Sequence, residues 1–186
     1  MISAESGVCA ATALDSRWTR AMERLRARGP DGEGQWLSED GRVRLGHRRL
    51  AIVDLTDAGA QPMANEDGAL RVTCNGEIYN APALRRELSA LGHRFASGCD
   101  VEVILHGYEQ WGGRGILDRL RGMFAFVLWD SRARSMLASV DHVGMKPLCF
   151  ARIGDALALA STTDALIELM EEAPSLNPIS LCHILC

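Results

Sequence analysis

Lysine is nearly missing from this 186-residue chain: Lys146 stands alone among twenty basic residues. The arginines that make up the rest are scattered, and the clusters at 24–28 and 48–49 are too short for a nucleic-acid-binding patch. A net charge of −4 points the same way, so nucleic acid is not an expected partner. No segment approaches the roughly 20 consecutive apolar residues of a membrane span, and no membrane partner is expected either. The opening Met-Ile-Ser-Ala-Glu has neither the basic region nor the apolar core of a secretory leader. The six cysteines form no Cys-x-x-Cys pair, and without an export signal the expectation is reduced thiols in the cytoplasm. Cys182, His183 and Cys186 offer at most three ligands at irregular spacing, which favours an apolar terminal helix over a metal site. A Gly-x-x-x-x-Gly-Lys phosphate loop, internal repeats and low-complexity linkers are all absent.

What remains is the composition of an ordinary globular domain, with 47% hydrophobic and 24% charged residues. Its length suits one domain with a substantial core. Ser16 to Arg28 reads as a helix, with Trp18, Met22 and Leu25 at helical spacing and Gly29-Pro30 as the stop. Gly29 to Gly34 reads as a turn-rich loop, and Arg42 to Leu55 as β-type sequence with a short buried run at Ala51-Ile52-Val53. Leu70, Val72 and Cys74 alternate as in a half-buried strand that leads directly into Asn75-Gly76-Glu77. Asn80 suits the N-cap of a helix carrying Pro82, Leu84, Leu88 and Leu91, and Asp100 the N-cap of a second carrying Val103, Ile104 and Tyr108. Met123–Trp129 and Ser135–Val140 read as a hairpin buried on both faces, and Leu148–Ala151 with Ala156–Ala160 as another. Ser161 to Glu171 reads as a helix, and Asn177-Pro178 as the start of one more. Hairpins separated by helices predict a layered α+β architecture, and periodicity alone selects no function.

Several segments carry more information. They are Arg28-Gly29-Pro30-Asp31-Gly32, His47-Arg48-Arg49-Leu50-Ala51-Ile52-Val53-Asp54-Leu55 and Gln61-Pro62-Met63. Further along come Cys74-Asn75-Gly76-Glu77-Ile78-Tyr79-Asn80, Asp100-Val101-Glu102-Val103-Ile104, Leu120-Arg121-Gly122-Met123-Phe124-Ala125-Phe126 and Gly144-Met145-Lys146-Pro147-Leu148. In order and spacing they resemble class II glutamine amidotransferases of the asparagine synthetase B type. The resemblance runs from about Ser6 to Leu169. It implies an N-terminal-nucleophile (Ntn) hydrolase fold, an αββα sandwich of two antiparallel sheets between helical layers. It also implies cleavage of glutamine to glutamate and ammonia, without metal or organic cofactor.

By this resemblance the Asn75 side-chain amide and the Gly76 backbone N–H form an oxyanion hole. Two fixed neutral donors stabilise the alkoxide that amide cleavage builds. Arg49 pairs with the α-carboxylate of glutamine, where a guanidinium fork fits in two parallel bonds. Asp100 takes the α-ammonium group, Glu77 helps hold the amino-acid part, and Arg48 is the surface-facing neighbour. Read from the residues alone, Asn-Gly is also a common hairpin turn, Arg49 a solvated strand charge and Asp100 a helix cap.

The resemblance departs at the nucleophile. Family members begin Met-Cys-Gly, and loss of Met frees a cysteine whose own α-amine is the base, with a reference pKa near ~7.7–8. Here Ser6-Gly7-Val8 lies over Cys-Gly-Val, with five residues before it. Three readings stand. Residues 1–5 are a propeptide or tail whose removal frees Ser6. Or cleavage after Val8 frees Cys9, although a three-residue shift turns strand side chains to the opposite face. Or nothing is cleaved, and the domain binds an amino acid or a partner without turnover. An amidohydrolase using Ser6 on another amide is a further alternative. Ala27 and His142 also depart from the family pattern and decide nothing about activity. Residues 6–172 form the amidotransferase-like domain in this reading, and 173–186 a shortened linker. The Ser-Gly-Gly-x-Asp-Ser loop of the synthetase half is absent, so a separate synthetase partner is the expected recipient of ammonia.

Overall fold

Alternation of apolar and polar side chains builds two antiparallel sheets that face each other. The computed structural model describes residues 2–4, 11–51, 56–172 and 174–175. The first sheet contains β1 (Ile2–Ala4), β2 (Gly32–Leu37), β3 (Val43–Arg49), β8 (Cys149–Ile153) and β9 (Ala156–Ala160), in the order β2-β3-β1-β9-β8. The second contains β4 (Met63–Ala64), β5 (Leu70–Ile78), β6 (Gly122–Asp130) and β7 (Ser135–Val140), in the order β4-β5-β6-β7. Helices α1 (Ala11–Arg24) and α4 (Thr163–Leu169) pack on the outside of the first sheet, burying Trp18, Met22, Leu25, Leu166 and Leu169 against Ala158 and Ala160. Helices α2 (Ala81–Ala90) and α3 (Glu102–Arg119) cover the second, burying Leu84, Leu88, Ile104 and Leu105 against Val72, Cys74, Phe126 and Leu128. The result is the αββα sandwich of an Ntn hydrolase, as the resemblance implied.

A thinner core of Val43, Leu45, Val127 and Leu159 fills the space between the sheets, flanked by Trp36, Trp129 and Leu148. The period of two then assigns every neighbour. In β3, Val43, Leu45, His47 and Arg49 share the inner face, whereas Arg44, Gly46 and Arg48 lie under α1. In β5, Cys74 faces the helices and Thr73 and Asn75 face inward. A 3.2 Å hydrogen bond between His47 Nδ1 and Thr73 Oγ1 crosses the gap. Gly46 lets α1 approach, because a Cβ there would stand 2.6 Å from Met22 Sδ and 2.8 Å from the Trp18 ring.

Several expectations change. The first helix starts at Ala11 and stops at Arg24, since residues 26–28 tighten into a 3-10 turn before Gly29. The turn-rich loop ends early, at the start of β2. Asn80 does occupy the N-cap position of α2, but its side chain does not cap. It accepts from the Arg121 N–H (2.9 Å) and donates to the Arg119 carbonyl (2.9 Å), tying α2 to the end of α3. Asp100 is not a cap either: Val101 precedes the first helical residue, and the Asp100 carboxylate turns to β5 instead. The hairpin of β6 and β7 forms, but only β6 is buried on both faces; β7 is the sheet edge and is half exposed. Arg48 is no surface residue. Its side chain is 16% exposed, donates to the Met22 carbonyl (3.1 Å) and pairs with Glu33 (2.8 Å) and Glu23 (3.4 Å). Ile52, Val53 and the 177–178 helix start lie outside the described residues.

Candidate active site

The inner faces of β3 and β5 part at one end of the sandwich, leaving a cleft of about 190 Å³. Arg49 from β3, Asn75, Gly76 and Glu77 from β5, and Asp100 from the approach to α3 all line it. Five residues chosen from sequence thus converge on one concavity. Ser6 and Cys9 lie outside the described residues. A smaller cavity of about 80 Å³ between the sheets shares Arg28, His47, Arg48 and Asn75 with this cleft.

Local structure explains the convergence. Gly29 packs on the backbone of β3, where a Cβ would collide with the Arg48 carbonyl group and stand 2.6 Å from Arg49 N. Asp31 then donates its N–H to the Arg49 carbonyl (2.9 Å) and accepts from the Ala51 N–H at Oδ2 (2.9 Å). The Arg28-Gly29-Pro30-Asp31 segment is therefore a clamp on the strand end that carries Arg49. The Arg49 guanidinium is itself oriented by the Thr56 carbonyl at 2.8 Å.

At β5 two features stand out. Gly76 has φ +142°, and a Cβ there would meet the Met123 carbonyl and lie 2.6 Å from Phe124 Cα. Only glycine fits this backbone against β6. Beside it, the Asn75 Nδ2 is buried and has no hydrogen-bond partner among the described residues. An unpaired buried amide is costly, by about 1–3 kcal/mol, so a native site that keeps one invites a ligand acceptor. The Gln61 side chain accepts from the Cys74 N–H (2.6 Å), and Asp100 Oδ2 accepts from the Ile78 N–H (2.6 Å). Those bonds bracket the Asn-Gly-Glu segment on both sides.

The electrostatics are bipolar. Arg28, Arg49 and Lys146 supply positive charge, whereas Glu77 and Asp100 supply negative charge; Arg48 contributes to the lining, but its guanidinium is turned to Glu23 and Glu33. Burial, helped by the charge of Arg49, pushes His47 down to about 4, so this imidazole is neutral near pH 7. Burial pushes the Cys74 thiol up, which leaves it an inert core group. The segment bearing Lys146 is held by Asp141. Burial opposes ionisation of this carboxylate, yet hydrogen bonds from the Val143, Met145 and Phe124 N–H groups hold it below the usual range. Sequence reasoning passed over His47, Gln61 and Asp141 as site-builders. The two polar segments that hold Gln61 and Lys146 were visible, but not what they grip.

The model of the glutamine amidotransferase domain matches residues 5–186. Asparagine synthetase [glutamine-hydrolyzing] 3 of Arabidopsis thaliana is 50% identical over 133 residues, covering 72% of this chain and 22% of that protein. Asparagine synthetase [glutamine-hydrolyzing] 2 of the same plant is 44% identical over 164 residues, 88% of this chain and 27% of that protein. A Bacillus subtilis asparagine synthetase is 37% identical over 150 residues, 80% of this chain and 24% of that one. The chain thus spans about a quarter of the length of these curated relatives. Among solved structures, glutamine phosphoribosylpyrophosphate amidotransferase from B. subtilis, complexed with ADP and GMP, shares the fold. Its TM-score is 0.72 at 21% identity, over 90% of this chain and 43% of that one. With the cleft described above, these likenesses place the chain in the class II glutamine amidotransferase domain family, in its asparagine-synthetase-like form.

Proposed function

We propose that this domain binds glutamine in the β3–β5 cleft and hydrolyses its side-chain amide, with Ser6 as nucleophile once residues 1–5 are removed. The observation that carries the reading is the unpaired, buried Nδ2 of Asn75 beside the Gly76 N–H, facing a cleft with opposite charges on its two walls. Arg49 takes the α-carboxylate, Asp100 the α-ammonium group, and Glu77 assists at the rim. The Ser6 hydroxyl attacks the amide carbon while its freed α-amine accepts the proton. The carbonyl oxygen becomes an alkoxide held by Asn75 and Gly76. Collapse of that intermediate expels ammonia, which takes the proton back, and water then cleaves the Ser6 ester to release glutamate. A separate synthetase domain, of the kind the relatives' names imply, is the recipient of the ammonia.

A second reading, amino-acid binding without turnover, draws on one observation. Ile2–Ala4 form the central strand of the first sheet, with Ile2 opposite both Leu45 and Leu159. Removing residues 1–5 takes this strand away. Intact mass of the purified protein, paired with a glutaminase assay, separates the two. The proposal expects a species beginning at Ser6 that releases ammonia from glutamine. Full-length protein that binds glutamine and releases none supports the second reading.

A further inference from the structure

On the outer side of the second sheet, away from the residues that line the cleft, three side chains from two segments bring ligand atoms together. His93 follows α2; His106 and Glu109 sit one turn apart on α3. His93 Nδ1 lies 3.3 Å from His106 Nδ1 and 3.7 Å from Glu109 Oε2, and His106 Nδ1 lies 3.5 Å from the same oxygen. A triangle with those sides has a point about 2.0 Å from all three corners, the length of a zinc–imidazole or zinc–carboxylate bond.

The remaining atoms of the same side chains are already held. His93 Nε2 faces Gln110 Oε1 at 3.1 Å. His106 Nε2 faces Glu102 Oε1 at 3.6 Å. Glu109 Oε1 accepts from Asn65 Nδ2 at 2.7 Å. Metal-binding histidines commonly present their second nitrogen to a carboxylate or carbonyl, which fixes the ring and raises its basicity. Glu102 is in turn fixed by the Ala96 and Ser97 N–H groups and the Ser97 hydroxyl. The local field suits a cation: Glu66, Glu102 and Glu109 all act on His106, opposed by Arg85, 3.8 Å from Glu102.

We propose that His93, His106 and Glu109 form a three-ligand site for a divalent metal ion of the zinc class, with water as the fourth ligand. Two imidazoles and one carboxylate disfavour magnesium and calcium, which take oxygen donors. Glu109 is 23% exposed at its side chain, so solvent reaches the open position. The bound ion joins the connection after α2 to the first turns of α3, and so acts as a structural cross-link.

The test uses the full chain, stripped with a chelator and then titrated with zinc against a chromophoric competitor. The expected result is one equivalent bound with Kd below about 10 µM, and a Tm raised by roughly 5 °C or more at a hundred-fold excess over Kd. Glu109→Gln and His93→Gln, neither at a fully buried position, each weaken binding at least about ten-fold while keeping the metal-free Tm. Cobalt gives visible bands of tetrahedral coordination without a thiolate charge-transfer band in the near ultraviolet; magnesium gives no binding. The proposal is overturned by absence of binding at 100 µM zinc (roughly ten times the expected ceiling on Kd). It is equally overturned by binding that both variants leave unchanged, or by binding lost instead in Cys182→Ser/Cys186→Ser.

Discussion

The backbone N–H of Ile78 donates a 2.6 Å hydrogen bond to Oδ2 of Asp100, fastening the end of β5 to the segment that leads into α3. The second oxygen, Oδ1, lies 3.8 Å from the Cys99 thiol, a weak contact that leaves it able to meet an ammonium group. In the proposed function one carboxylate thus has a structural half and a ligand half. The two separate by substitution. Asp100→Asn keeps an oxygen for Ile78 and loses the charge. It should raise the KM for glutamine about 10–100-fold, the worth of one charge-assisted bond, with little change in Tm. Asp100→Ala loses both halves and should also lower Tm by several degrees. If glutamine is bound without turnover, its Kd carries the same readout. A Tm drop in Asp100→Asn as large as in Asp100→Ala, with KM unchanged in both, would mean the residue serves only the backbone.

Removing a buried polar group usually strands its partner. Asn75 Nδ2 has no partner to strand among the described residues. Asn75→Ala should therefore leave thermal stability unchanged or slightly higher, while lowering kcat for glutamine hydrolysis by about 10²–10³. Wild-type kcat in a stable Asn75→Ala protein would remove the oxyanion role.

Gly29 touches no ligand in this reading, yet it should control glutamine binding. A Cβ at this position pushes on the Arg48 and Arg49 backbone. Gly29→Ala should cost about 1–3 kcal/mol of stability by overpacking. Because the push falls on the strand end that aims Arg49, KM should rise as well. A nearby control is Gly41→Ala, where a Cβ meets nothing within 4 Å and the cost is backbone strain alone at φ +69°. Denaturation curves and KM for the two variants make the comparison. Equal KM values would show that the Gly29 contact does not reach Arg49.

Much of this architecture was legible in the sequence because it is local. β5 follows from the alternation of Leu70, Val72 and Cys74, and continues through Ile78 because Gly76 permits the unusual backbone against Met123. The β8–β9 hairpin follows from Gly154-Asp155 between two apolar runs. The residues that line the cleft were legible as motifs, but the reasons for the motifs were not. Nothing in Arg-Gly-Pro-Asp says that Gly29 packs on Arg48 or that Asp31 bonds to Ala51. Arg48 was misread because its partners, Glu23 and Glu33, come from α1 and β2. Asp100 and Asn80 looked like helix caps because sequence shows only the nearest N–H groups, and both side chains turn to strand or loop backbone across the fold. The His93, His106 and Glu109 cluster was invisible for the same reason: His-x-x-Glu on a helix is common, and the third ligand arrives from a different segment.

His47 supplies a pH-dependent term whose sign is fixed by its burial. Its folded-state pKa is about 4, below the 6.5 of an unperturbed histidine. Above pH 6.5 both folded and unfolded forms are neutral at this group, and its contribution to stability is fully present. As pH falls from 6.5 toward 4, the unfolded chain takes up a proton that the folded protein refuses. Stability therefore drops, by up to about 1.4 kcal/mol per pH unit and about 3 kcal/mol in all. His47→Asn keeps a hydrogen-bonding group near Thr73 and removes the titration. Denaturant unfolding of both proteins at pH 7, 6 and 5 should give curves that diverge as pH falls, with the variant losing less. Parallel curves would mean that His47 is hydrated enough to protonate in place. It would then add positive charge to the cleft wall that already carries Arg28 and Arg49, and glutamine affinity would change over the same pH range.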